Sequence, residues 1–328
     1  MKKRIPFLMM MLLAVSLVMQ AADVRLVISD GIGNGALKTT MERSVSELLN
    51  TVNRAVADSM SALPTDGLNL SREAREGIQK LWANDRFHCV EEEIVERCLT
   101  MKNGYQVRGI PLQKRTDGHG ESFQEAVVNF DKRGTITSFY YTINPEIYSR
   151  LRMVSMSDRK NEITDINRRM QIIDYVEHFR TSYNQKDLKF LRQVFSEDAL
   201  IITGSVIKVK KSEVFPTGRH IKYTPYTKKE YLDHLALAFR NNRYIRVNFE
   251  DITIVHHPTQ RNIYGVTVHQ RWNSDRYSDE GYVFMVWDFT DEEAPKIHVR
   301  TWQPEFIDKE KGERLPESDV FSLGDFNL

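Results

Sequence analysis

The stretch that decides the fold runs from Tyr175 to Gly204, "YVEHFRTSYNQKDLKFLRQVFSEDALIITG". Its first part continues a helical pattern that starts near Ile163. Ile166, Met170, Ile173, Val176, Phe179 and Tyr183 recur three or four residues apart, the spacing that lines one face of an α-helix. "NQKD" interrupts the pattern, "DLKFLRQVF" suits a short helix, and "ALIITGSVIKV" is rich in β-branched residues, which predicts a strand.

Toward the C-terminus, "KKSEVFPTGRHIKYTPYT" reads as an ordered loop, and Thr227 as the N-cap of a helix "KKEYLDHLALAF". Four strand candidates follow: "YIRVNFEDITIV", "NIYGVTVHQRW", "EGYVFMVWDF" and "KIHVRTW". Residues 306–328 are charged and turn-rich and read as a surface tail, while 151–165 gather charge and read as a linker. Upstream, Leu37, Met41, Val45, Leu48, Leu49, Val52 and Val56 predict a helix over 36–57. "LPTDGLNLS" breaks the chain, and Ser71 caps a second helix in "LSREAREGIQKLWAN". The segments "FHCVEEEIVERCLTM", "YQVRGIPLQ", "SFQEAVVNF" and "TITSFYYTI", with turns "KNG" and "DKRG", predict an antiparallel meander. The fold class is α+β in two domains, 23–150 and 166–305. Both end in T-x-x-P-E, with Thr142, Pro145 and Glu146 opposite Thr301, Pro304 and Glu305, which together with the order of helices before strands favours a tandem of related domains.

The run from Tyr175 resembles the opening of the nuclear transport factor 2-like superfamily, which includes ketosteroid isomerase and SnoaL-like cyclases. The resemblance rests on "N-x-x-D-L" at Asn184, Asp187 and Leu188 and on "F-x-x-D-A" at Phe195, Asp198 and Ala199, and it covers about Ile163 to Glu305. It implies a cystatin-like cone, a bent antiparallel sheet wrapped around the long helix, whose open end can hold a small apolar ligand. The N-terminal half is expected to be a degenerate copy. An isomerase of this fold uses an oxyanion tyrosine, a carboxylate base and a protonated Asp. Counting from the shared motifs, those positions fall on His178, on Thr203 and close to Met285. Ketosteroid-type proton transfer is therefore not expected, although an imidazole at His178 would titrate near neutrality if it faced the cavity.

The closing strands concentrate aromatic and cationic groups: His269, Trp272, Trp287, His298, Arg300 and Trp302. Alternation in a strand places His298, Arg300 and Trp302 on one face and Val299 and Thr301 on the other. That pattern suits either an exposed surface for an amphipathic ligand or peptide, or a sheet face covered by another domain or protomer. The candidate binding residues are these six with His178 and Tyr183 from the long helix. No catalytic residue, metal ligand or cofactor is assigned.

Other features bound the function. The chain has 328 residues, with 46 Lys and Arg against 45 Asp and Glu, so it lacks the basic excess a nucleic-acid surface uses. Residues 1–22 combine "KKR", the apolar "FLMMMLLAVSLVM" and the small residues "QAAD", the pattern of a signal peptide. The expected location is periplasmic or extracellular, with no membrane span after cleavage. Cys89 and Cys98 would lie about 30 Å apart in one strand or about 13 Å in one helix, against the roughly 6 Å of a disulfide, so both read as structural thiols. His88 and His119 add no tight zinc spacing to them, and His256 and His257 face opposite ways before Pro258. Glu91 to Glu93 read as a solvated edge. The glycines of "SDGIGNGALK" satisfy a loose G-x-G-x-x-A form, but the helix after them is followed by a turn and another helix, so they read as a bend into that helix. The expected function is an exported, non-catalytic binding or envelope-assembly protein holding a small amphipathic ligand or an envelope protein, with a homodimer through the sheet compatible. The alternatives are a SnoaL-like enzyme with a histidine base and a structural cell-envelope protein.

Overall fold

The computed structural model describes residues 23–101, 103–116, 120–143, 160–210, 213 and 218–326, without the side chains of 160–167. The expected signal peptide, most of the expected linker, His119 and the Pro145–Glu146 pair lie outside the described residues.

In the first half, β1 (Arg25–Asp30) leads into helix α1 (Gly35–Ala57), whose N-cap Asn34 accepts from the Leu37 amide. Met41, Val45, Leu48, Leu49 and Val52 form the buried stripe that the periodicity predicts. Ser71 caps α2 (Arg72–Asn84) through the Ala74 amide, 3.1 Å away, satisfying one of the donors a helix start leaves open. The strands β2 (Arg86–His88), β3 (Glu93–Met101), β4 (Gly104–Thr116), β5 (Gly120–Asp131) and β6 (Ile136–Tyr141) follow. The sheet order is β1-β3-β4-β5-β6, with β2 on β4. β3 to β6 are the expected meander, whereas β1 adds a parallel edge to β3. "FHCVEEEIVERCLTM" is two strands, because Cys89 to Glu92 leave the ladder; Cys89 and Cys98 are buried and unpaired, and burial pushes both thiols up.

The second half opens on α3 (Lys160–Asn184) and α4 (Leu188–Val194). The N-x-x-D-L motif explains the break between them. Asn184 exchanges two hydrogen bonds with the Val247 backbone, its amide nitrogen donating to the carbonyl at 3.2 Å and its oxygen accepting from the amide at 2.6 Å. Asp187 then caps α4 by accepting from the Phe190 amide at 3.0 Å. β7 (Phe195–Lys208), β8 (Arg219–Thr227), α5 (Lys228–Asn241), β9 (Ile245–His256), β10 (Ile263–Ser274), β11 (Ser278–Asp288) and β12 (Lys296–Pro304) complete a sheet of order β8-β7-β12-β11-β10-β9. β7 and β12 are parallel and the other pairs antiparallel. Thr227 and Glu230 form a full capping box at α5.

β8 corrects the expected loop. It pairs with β7 along its length, but only as an edge strand, where Pro225 is tolerated and polar residues such as His220 and Lys222 face solvent. The tail also does more than lie on the surface. Phe321, Leu323 and Phe326 pack on Ile263, Phe284, Val286 and Val299, covering part of the outer face of the second sheet.

The layers explain why α3 is so unlike an ordinary surface helix. Ile172, Val176, Phe179 and Tyr183 enter the second core, while Glu177, at 0% exposure, and buried Arg180 face the first half. α1 and α2 cover one face of the first sheet and α3 covers the other, so both flanks of α3 are buried. The two sheets each pack on a long helix, yet their strand orders differ. No helix of the described residues is long and apolar enough to cross a membrane.

Candidate functional site

The second core fills the deep part of the cone. Trp287 is fully buried among Phe179, Tyr175 and Phe289, so it is a packing residue. Within the same core, the hydroxyls of Tyr183 and Tyr231 lie 2.8 Å apart, and the Arg300 guanidinium sits 5.2 Å from the Tyr231 ring centre. Trp272 contacts the Tyr183 ring, and Trp302, paired with Thr203 of β7, packs on the same core. Tyr183, Trp272, Arg300 and Trp302 thus share the concave face.

This overturns the exposed aromatic face. Arg300 is 5% exposed, and it looks inward because the register shifts between β11 and β12. Ile297 pairs with Trp287 and Val299 with Val286, leaving His298 in a β-bulge that breaks the alternation. His298 stands apart, 3.4 Å from Asp288 and 3.7 Å from Asp198. His269 lies on the opposite, outer face, 3.6 Å from Glu305.

Asp279 joins the concave group and was not foreseen. Burial pushes its carboxyl up to about 6, with a hydrogen bond to Tyr277 and the charge of Arg300 acting the other way. It borders a cleft of about 380 Å³ between the halves, with Asp85, Lys114 and Arg246.

His178 turns away from the cone. It borders a groove of about 740 Å³ between the first sheet and α3. Its ring lies between Tyr140, parallel within 1° at 5.0 Å, and Phe190 at 4.0 Å. Burial holds its imidazole low, against the pull of Asp174 and Asp187. Beside it, Asp174 accepts from Arg108 at 2.7 Å, from Gln106 at 3.2 Å and from the Tyr140 hydroxyl. Arg108 also donates to Glu177 at 2.5 Å, and Glu177 accepts from the Ile143 amide at 3.0 Å. Burial pushes the Glu177 carboxyl up while Arg108 pulls it back.

The polar end of the groove is made by a local irregularity. Val107 pairs with Val128 and Ile110 with Ala126, so Arg108 and Gly109 form a bulge, with Gly109 at φ +79. Val107 and Ile110 both reach the first core, and Gln106 and Arg108 are directed at α3. The glycine inside "YQVRGIPLQ" was the available signal, since an isolated glycine in a strand pattern marks a bulge. Beyond the polar end, Leu99 and Met101 from the first sheet and Met170 and Tyr175 from α3 form an apolar strip, and Arg168, ion-paired with Glu292, borders the other end with Gln171 and Glu293.

No family model and no curated protein matches the sequence. Among solved structures, the chain is similar to a nuclear transport factor 2-like protein of Cytophaga hutchinsonii, with 14% identity, 45% of this chain and 99% of that chain covered, and a TM-score of 0.28. It is also similar to a cystatin-like-fold protein of Nostoc punctiforme, at 9% identity, 42% and 90% coverage and a TM-score of 0.30. A Bdellovibrio bacteriovorus protein aligns at 14% identity over 62% of this chain and 78% of its own, with a TM-score of 0.33. The architecture of the second half rests on its own strand order and on the helix its sheet packs against, and the first two of these neighbours have folds of the nuclear transport factor 2-like and cystatin-like kind.

Proposed function

We propose that this chain is a binding protein for a small, uncharged amphipathic molecule, held between the first sheet and α3 and not in the cone. The observation that carries the reading is the groove itself: an apolar strip of Leu99, Met101, Met170 and Tyr175 between a polar end at Asp174 and a charged rim at Arg168 and Glu292, at about 740 Å³, within the roughly 300–1,000 Å³ of small-molecule sites. Gln106, Arg108 and Tyr140 fix the Asp174 carboxylate, whose remaining lone pairs can accept from a ligand hydroxyl or amine. Asn129 offers a further polar contact, and Leu99, Met101 and Met170 adapt to an irregular apolar body. A carboxylate held by three donors serves orientation better than proton abstraction, which supports binding over turnover.

The test uses N-phenyl-1-naphthylamine, a neutral aromatic amine, titrated into the purified chain while its fluorescence is followed. Leu99→Trp and Met170→Trp, which fill the groove, are expected to weaken uptake at least about tenfold, roughly the effect of losing 1.4 kcal/mol. Trp302→Ala, on the cone side, leaves it unchanged. Equal uptake by both groove variants and the native chain contradicts the reading. The pattern of residues 1–22 supports export. A cell-fractionation experiment that finds the intact chain only in the cytosol removes that part.

A further inference from the structure

We propose that His269, Glu280 and Glu305 form a binding site for a divalent first-row metal ion on the outer face of the second sheet. Far apart in sequence, they meet because β10, β11 and β12 are neighbours in register. Arg271 stands opposite Glu280, His269 opposite Tyr282, and Gly281 opposite Pro304, the residue before Glu305. One donor atom from each of the three lies within 4.8 Å of the other two. A zinc ion bound at about 2.0–2.2 Å needs its donors about 3–3.6 Å apart, so closure asks the donor atoms to shift by about 1 Å.

The surroundings favour a cation. His269 Nε2 is buried and makes no hydrogen bond, and the nearest partner is Glu305 Oε2 at 3.6 Å. Glu305, with its side chain 7% exposed, gives its other oxygen, Oε1, to Arg314. Glu280 gives Oε1 to Arg271, which also reaches Glu250 at 3.3 Å. Arg271 and Arg314 therefore hold one oxygen of Glu280 and one of Glu305 and leave the second of each for an ion, the arrangement that outer partners of metal ligands adopt. Three carboxylates, Glu250, Glu280 and Glu305, face two guanidinium groups, so the acidic groups outnumber the arginines by one. One imidazole and two carboxylates form a ligand set suited to zinc, cobalt or manganese, with room for water in the remaining positions.

The experiment takes the untagged full-length chain, stripped with a chelator and titrated with zinc by calorimetry and with cobalt by visible absorption. One ion per chain is expected, with binding weakened at least about tenfold in His269→Ala and in Glu280→Gln. Glu280 is partly exposed, so its variant keeps the test open if His269 is needed for folding. The double variant His256→Ala/His257→Ala, at the far end of β9, is expected to bind as the native chain does. Absence of zinc uptake at micromolar free metal overturns the site, as does native affinity in Glu280→Gln together with a folded His269→Ala.

Discussion

Asp279 is where burial and charge oppose each other most plainly. Its folded carboxyl titrates at about 6, above the roughly 3.9 of an unfolded chain, so the native state holds its proton more tightly. The folded state is therefore favoured by this group below about pH 4, loses that advantage as pH rises through 6, and carries the full cost above it. Asp279→Asn imitates the protonated form, and at pH 8 it is expected to stabilise the protein by about 2–3 kcal/mol, with little change at pH 4. Urea titrations at the two pH values measure this, and an equal effect at both contradicts it. Among single residues, the caps Ser71 and Thr227 act where side-chain chemistry and sequence position both pointed, because a cap is a local interaction. The direction of His178 was not legible. Both flanks of its helix are buried, so apolar spacing alone does not say which flank meets which sheet.

At the scale of elements, one amide ties the last part of the tail to β12 and β8. Gln303 donates to the Tyr223 hydroxyl and to the Asp319 carbonyl, both at 2.8 Å, and accepts from the Phe321 amide at 2.8 Å. Gln303→Ala is expected to cost about 1–3 kcal/mol and to speed amide exchange at Phe321 and its neighbours, with the β10–β11 ladder still protected. Unchanged exchange in the tail argues that the apolar contacts of Phe321, Leu323 and Phe326 suffice. Those contacts occupy part of the face that a sheet-to-sheet partner would use. Charge in the tail was visible in the sequence, but its apolar residues are scattered among charged and turn residues and follow neither a helical nor a strand period. β8 escaped for a related reason: an edge strand with one solvated side lacks the apolar alternation of a strand with a buried face.

At the scale of the molecule, the halves are joined by buried polar contacts. Asn84 donates to the carbonyls of Asn184 at 2.8 Å and Ile245 at 2.9 Å, Gln185 donates to Phe139 at 2.9 Å, and Arg246 donates to Asp85 at 2.7 Å. Arg108 bridges Asp174 and fully buried Glu177. Arg108→Met strands the Glu177 carboxylate and is expected to cost about 3–5 kcal/mol, with much of the loss recovered in Arg108→Met/Glu177→Gln. Calorimetry of the native chain is expected to show one transition for both halves, and two resolved transitions contradict the shared role of α3. The general plan of each half was legible because its helices and most of its strands carry clear periods. The groove was not, because Gln106, Tyr140 and Asp174 sit on three elements of two halves, and no local pattern records how the halves dock.

Placement of the ligand in the seam and not in the cone is the central claim, and the methionine methyl spectrum tests it most directly. Met101 and Met170 border the groove, and Met285 is fully buried in the second core. On addition of N-phenyl-1-naphthylamine to methyl-labelled protein, ring-current shifts are expected at Met101 and Met170, with Met285 unmoved. A shift at Met285 with Met101 and Met170 unchanged would place the ligand in the cone and contradict the account.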